Sequence, residues 1–171
     1  HDGLVPAWLM KARCLVRLSQ WMPAREAFAQ TLRLDPTHYS AWLEAGHLCK
    51  QMGELGQASA AYQHAINVVP ARYEAYLAMA RVMAQQGHTE LANRAYNEAV
   101  QAAAAKDLDA VRQVHWLMGQ YVLELSHAQE ALGCFNEALK ATKANNAEAL
   151  ANLAAEIQMD AAKAWLRVGN R

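Results

Sequence analysis

Trp8, Trp42 and Tyr76 stand 34 residues apart, and most of the sequence moves in step with them. Shifted by that interval, Ala12 coincides with Gly46 and Ala80, Ala24 with Ala58 and Ala92, and Phe28 with Tyr62 and Tyr96. Pro36 and Pro70 close the first two units. A fourth unit follows a small insertion at 107–111, with Gly119, Ala131, Phe135 and Ala138 in the same roles. Repetition at such a period constrains the fold strongly. Each unit is too short to bury its apolar face alone and must stack on its neighbours.

The unit is clearest in "HYSAWLEAGHLCKQMGELGQASAAYQHAINVVP", His38–Pro70. Trp42, Ala45, Gly46 and Cys49 fall on one stripe of a helix over about Tyr39–Met52, by the 3–4 residue spacing. A second helix spans about Leu55–Val68. Gly46 costs a helix roughly 1 kcal/mol. Its missing side chain lets the second helix approach closely, toward the lower end of the usual spacing of about 8–10 Å. Ala58 does the same from the other side, and Tyr62 fills the larger gap. Gly53 and Gly87 suit the left-handed cap that ends a first helix. Pro36 and Pro70 stop the second, since proline cannot continue it.

An aromatic, a Gly or Ala four residues on, then Ala, an aromatic, Ala and a closing Pro resemble the tetratricopeptide repeat family. The likeness covers nearly the whole chain. It implies an all-α fold, a right-handed superhelical solenoid of antiparallel helix pairs, A and B. Repeats are placed at about 5–38, 39–72, 73–106 and 112–145, followed by a long C-terminal helix over 146–168. Departures are Lys11 where leucine is usual, Ser19 where glycine is usual, Pro23 in the first turn of a helix B, where it is tolerated, and Ala104 without a closing proline. The insertion at 107–111 predicts an early start and greater length for helix A of repeat four.

Leu150, Leu153, Ile157, Ala161, Ala164 and Val168 make an apolar stripe on the last helix. It reads either as a cap over repeat four, or "AWLRVGNR", Ala164–Arg171, opens a fifth helix A with Trp165 and Gly169 spaced like Trp42 and Gly46. The second reading is favoured and implies that the array continues. The chain also starts at His1 rather than Met, and on that ground it is expected to be a piece of a longer protein.

Chemistry is scarce. A formal net charge of +0 and a pI of about 7.2 remove the electrostatic footprint of a nucleic-acid binder. The longest apolar runs fall well short of the roughly 20 residues of a membrane helix, and no signal peptide opens the chain. Cys14, Cys49 and Cys134 are far apart and odd in number; they read as buried structural thiols and tilt the location toward a reducing cytoplasm, which nothing else fixes. The histidines carry no HExxH and no zinc spacing, so no metal is expected. No GxSxG, GxGxxG or phosphate loop occurs, and "GELG" at Gly53–Gly56 reads as an interhelical turn. No catalytic residue, no cofactor and no enzyme activity are predicted. Function must lie in surfaces.

In the family the A helices line a groove that usually binds a peptide or partner helix. Groove places carried onto this sequence are positions 2, 5, 6, 9, 12 and 13 of the unit. The candidate peptide groove is Arg13, Arg17, Leu43, Glu44, His47, Lys50, Gln51, Leu77, Arg81, Gln85, Trp116 and Gln120. Arg13, His47 and Arg81 form a basic ladder at position 9, with Arg17 and Lys50 beside it and leucines of position 5 alongside. Such a groove fits a protein or peptide partner with an acidic group and apolar anchors. Other readings stay open. The ladder is equally a solvated face paired internally, for example to Glu44 or Glu74. Trp116 is either a groove anchor or a core equivalent of Trp42, and the position-5 leucines either meet a ligand or pack between neighbouring A helices.

Two groove chemistries known in the family are missing. The carboxylate clamp of chaperone-binding members would need Lys or Asn where Leu9, Arg13, Glu44, Glu74 and Ala78 stand. The asparagine ladder of N-acetylglucosamine transferases would need Asn at Met10, Glu44, Ala78 and Leu117. The resemblance thus implies a non-catalytic interaction scaffold. Alternatives are a substrate-recruiting segment of a larger enzyme such as a glycosyltransferase, or a module that self-associates through solenoid ends.

Overall fold

The structure is a computed structural model that describes residues 3–104, 108–125, 127–141 and 147–169. Among the described residues all regular structure is helical: α1 (Leu4–Arg17), α2 (Trp21–Leu34), α3 (Tyr39–Gln51), α4 (Leu55–Val68), α5 (Tyr73–Gln85), α6 (Thr89–Ala104), α7 (Leu108–Glu124), α8 (Ala128–Lys140) and α9 (Ala147–Gly169). The chain divides into two compact units, His1–Ala95 and Tyr96–Arg171.

In the first unit α1 pairs with α2 and α3 with α4, while α2 meets α3 and α4 meets α5. The seams are built from small residues. Ala12, Ala24, Ala41, Ala58, Ala65, Ala75 and Ala80 are fully buried, and Phe28 and Tyr62 fill the gaps between them. At Gly46 the helices touch so closely that an added Cβ would stand 2.6 Å from Tyr62 Cδ1. Trp42 stacks on His64 of α4, ring centroids 4.4 Å apart, and its Nε1 donates to the Pro36 carbonyl at 2.8 Å. Lys11, the departure at a leucine position, lays its ammonium 4.5 Å from the centre of the Trp8 ring.

α1, α3 and α5 end in one kind of reversal. After α3, Gly53 N–H donates to Lys50 O and Glu54 N–H to Cys49 O; after α5, Gly87 N–H donates to Ala84 O and His88 N–H to Met83 O. The two glycines sit at φ +79° and +77°. After α1 the same bonds are made around Ser19, at φ 58° in a region that disfavours a Cβ. The "GELG" turn is shorter than the sequence reading: Leu55 and Gly56 already belong to α4.

In the second unit α7 pairs with α8, and Gly119 faces Phe135 as Gly46 faces Tyr62. Phe135, Ala131 and Ala138 are fully buried, and Tyr96 stacks on Tyr121 with centroids 5.5 Å apart. α7 begins at Leu108, inside the insertion, and runs for 17 residues. α9 packs chiefly on α8 and touches α7, the relation that α5 has to α4 and α3 in the first unit. Among its described side chains Ile157 and Ala164 are buried, with Ala161 and Val168 partly covered. The side chains of Leu150 and Leu153, and residues 146, 170 and 171, lie outside the described residues. Ala164 falls within the continuous helix, and Trp165 is 65 % exposed, unlike Trp42.

The cysteine expectation needs one correction. Cys49 is buried and Cys134 partly so, but Cys14 is exposed. α1 buries Leu9 and Ala12, and the helical period turns Cys14 to the other side.

Candidate functional site

Arg13, Arg17, Glu44, His47 and Gln51 meet around a cleft of about 330 Å³ in the first unit, whose walls are completed by Val16, Phe28 and Leu48. α1 supplies the arginines and α3 the remaining polar side chains. The helical period brings Arg13 and Arg17, four apart, onto one face, and His47 and Gln51 likewise.

Arg13 is not free. Its Nε donates to Glu44 Oε2 at 2.8 Å and Oε1 at 3.1 Å, and Nη2 also reaches Oε1. The pair ties α1 to α3 and cancels its own charge. Being largely exposed, it adds at most about 1 kcal/mol. Glu74, the other internal partner weighed from the sequence, pairs with Arg72 at 2.9 Å. Among the described residues, Arg17, Lys50 and Arg81 have no carboxylate partner.

His47 stands between these charges. Its Nδ1 lies 2.8 Å from the hydroxyl of Tyr62, a fully buried side chain. Part of the residue stays open to solvent, yet the walls around its ring remove enough water to lower its pKa. Lys50 and Arg81 lower it further, against the opposing pull of Glu44. Burial, then Arg81, also lower the Lys50 pKa. Burial pushes the Tyr62 phenol well above its ordinary value.

The remaining candidates lie elsewhere. Leu77 is buried and Leu43 half-buried, so Leu77 acts as packing; Gln85 is exposed at the end of α5. In the second unit Trp116 Nε1 and Gln120 Nε2 both donate to Asp160 Oδ2 of α9, at 3.2 and 3.1 Å. Lys163 holds the other carboxylate oxygen at 2.9 Å. Desolvation acts to raise the Asp160 pKa, but bonds from Lys163, Gln120 and Trp116 prevail and hold it below the ordinary value. Arg167 donates to the Leu123 carbonyl at 2.8 Å, near the end of α7. Trp116 is therefore tied to α9 through its N–H and is not the counterpart of Trp42; His115 holds the place four residues before Gly119.

Among the described residues no three metal-ligating side chains gather, and no helix is long and apolar enough to cross a membrane. Residues 39–71, the unit of α3 and α4, match the family model of the tetratricopeptide repeat. Those residues form a tetratricopeptide repeat. The fold of the chain is the all-α, TPR-like helical solenoid. Solved structures share that fold at low identity. A structure of the MamA protein aligns with a TM-score of 0.68 at 12% identity, covering 99% of this chain and 90% of that one. YrrB, described as a TPR protein with an unusual peptide-binding site, aligns at 0.65 and 15% identity, covering 96% and 77%. A chain of the APC/C hetero-tetramer Cut9–Hcn1 aligns at 0.71 and 22%, covering 99% of this chain and 31% of its own length. No curated protein matches the chain.

The sequence pattern does not point to three participants. Tyr62 has the position of a gap-filling aromatic, and nothing in the spacing says that its hydroxyl meets His47. Phe28 was assigned to the seam, yet it also walls the cleft. Asp160 lies on a helix whose register the repeat pattern leaves unset. A signal was present for Glu44 and Arg13, an acid and a base on neighbouring A helices.

Proposed function

We propose that this chain is a non-catalytic protein–protein interaction scaffold. Its first unit binds an extended peptide or partner segment with an acidic group beside apolar side chains. The observation that carries the reading is the cleft itself: Val16, Phe28 and Leu48 line it alongside Arg17, a cation with no carboxylate partner among the described residues. Lys50 and Arg81 add unneutralised charge next to His47. A carboxylate brought there gains charge-assisted hydrogen bonds that the fold leaves unmade. The peptide-binding site named for YrrB, on the same fold, supports the reading by analogy.

Selection from a random peptide library tests it. Peptides kept by the wild-type chain should be enriched in Asp and Glu next to apolar residues, and their binding should weaken with salt. The Arg17→Glu/Arg81→Glu variant should lose them while keeping its helix content, since exposed changes usually move stability by about 0.5 kcal/mol or less. Equal retention by both proteins, or no acidic bias, ends the reading.

A further inference from the structure

The sequence treats His47 as the middle cation of a ladder; its surroundings give it a different character. Tyr62 is wholly buried and its ring is seated against Gly46. Its hydroxyl is thereby fixed in place, 2.8 Å from His47 Nδ1. Among the described residues, Nδ1 is the only acceptor within hydrogen-bond reach of that hydroxyl. The arrangement that pairs the phenol hydrogen is donation to Nδ1, with the imidazole hydrogen on Nε2. Nε2 is on the side of the ring away from Tyr62, and His47 lines the cleft.

We propose that His47 is the ligand-reading residue of the cleft: it presents a fixed Nε2–H to a carboxylate oxygen of the bound segment and takes up a proton as that segment seats. The proposal rests on the acidic-peptide reading above and adds to it a named residue and a proton.

The argument for the proton is electrostatic. The groups that face His47 are Glu44 and Lys50 on its own helix, Tyr62 on α4, Arg81 on α5, and Arg13 and Arg17 across the cleft. Arg13 and Glu44 cancel. What remains around the ring is positive, and it favours neutral imidazole. A carboxylate beside Nε2–H offsets Lys50 and Arg81 and favours the imidazolium. The proton then goes to Nδ1, and the Tyr62 hydroxyl turns from donor to acceptor without moving its oxygen. Binding and protonation become linked: affinity rises as pH falls through the window between the bound-state and free-state pKa of His47. Each unit by which binding raises that pKa gives up to about tenfold in affinity.

The test is a histidine-selective nitrogen–proton NMR titration of the whole chain from pH about 8 to about 5.5, which brackets the ordinary histidine pKa. The probe is a short polyglutamate peptide, with polyglutamine of equal length as the uncharged control. The free protein should show His47 as the Nε2–H tautomer. Polyglutamate should displace its signals, raise its pKa and bind more tightly at the acid end. Polyglutamine should do none of these. His47→Gln should flatten the pH dependence and weaken binding across the whole range. An Nδ1–H tautomer in the free protein overturns the proposal. So does polyglutamate binding that is lost in Arg17→Glu/Arg81→Glu but leaves the His47 pKa unmoved; that result spares the acidic-peptide reading. Failure of polyglutamate to bind at all overturns this proposal, while the peptide selection above decides the acidic-peptide reading.

Discussion

Gly46→Ala adds one methyl group to the middle of a helix, a change that stabilises most helices by about 1 kcal/mol. Here the structure reverses the sign. The new carbon would lie 2.6 Å from Cδ1 and 3.0 Å from Cζ of Tyr62, and closest of all to Cε1. Carbon atoms rest at about 3.5–4.0 Å, so the ring would have to retreat by roughly 1 Å. It has no room: Tyr62 is fully buried and its hydroxyl is held by His47. Overpacking costs about 1–3 kcal/mol. With an immobile ring, the upper part of that range applies, and the net loss after the helical gain is about 1–2 kcal/mol. Urea denaturation followed by helical circular dichroism reads the loss. Amide exchange should localise it to α3 and α4, since a repeat array need not unfold as one unit. Gly133→Ala is the counterpart. That glycine is exposed inside α8, nothing lies within 4 Å of an added Cβ, and the variant should gain up to about 1 kcal/mol. The double variant Gly46→Ala/Tyr62→Leu removes the ring that the methyl strikes, and its cost should fall short of the sum of the singles by about 1 kcal/mol. A Gly46→Ala protein as stable as the wild type, or a cycle that is additive within about 0.5 kcal/mol, would refute the close-approach argument.

Ser19 holds a left-handed cap that its counterparts fill with glycine. Ser19→Gly should raise the unfolding midpoint, by about 0.5 kcal/mol or more once the extra freedom of the unfolded glycine is subtracted. A lower midpoint would show that the cap does not limit this turn. Asp160→Asn removes the charge that Trp116, Gln120 and Lys163 share, and should destabilise the second unit by about 1–2 kcal/mol. The folded pKa of Asp160 is depressed. Its stabilisation is therefore present above the unfolded value of about 3.9 and is lost as pH falls through the folded one. Thermal melts between neutral pH and acid should show the wild type losing more than Asp160→Asn; equal losses would refute the role.

The repeating residues made the helices legible because their meaning is local. α4 has the bounds that the spacing predicts, and α3 ends one residue earlier, at Gln51. Gly53 and Gly87 mark reversals because only their backbone conformation matters there. Gly46 forecast its contact with Tyr62 because a glycine in a helix needs a reason, and a close neighbour is the usual one. The cleft was less legible. Positions 9 and 13 place Arg13, Arg17, His47 and Gln51 around one cleft, but a position in a repeat fixes direction and not partner. Whether Arg13 reaches a ligand or Glu44 depends on the offset between α1 and α3, and that offset is set by the bulk of the residues in the seam. The side of His47 that meets Tyr62 is hidden for the same reason.

The two units use position 9 alike, and this bears on where a ligand can be read. In the first, Arg13 donates to Glu44 on the next A helix. In the second, Gln120 donates to Asp160 on α9, the helix placed against α8 and α7 as an A helix would be. In both, a donor on one inner helix is spent on a carboxylate of the next. Position 9 thus serves as a tie between successive inner helices wherever the next helix offers an acid. His47 makes no such tie. Its successor α5 offers Arg81, a like charge, and the tie cannot form. Instead the imidazole turns its Nδ1 to Tyr62 within its own hairpin. The ladder that looks uniform in the sequence is interrupted at this residue, and the interruption leaves the imidazole and two unneutralised cations together on one surface. Replacing Arg81 with glutamate would supply the missing acid and close the site from within. The same single change therefore removes a cation and fills the place its ligand would take, which is why Arg81 belongs in the variant that tests binding and Arg13 does not.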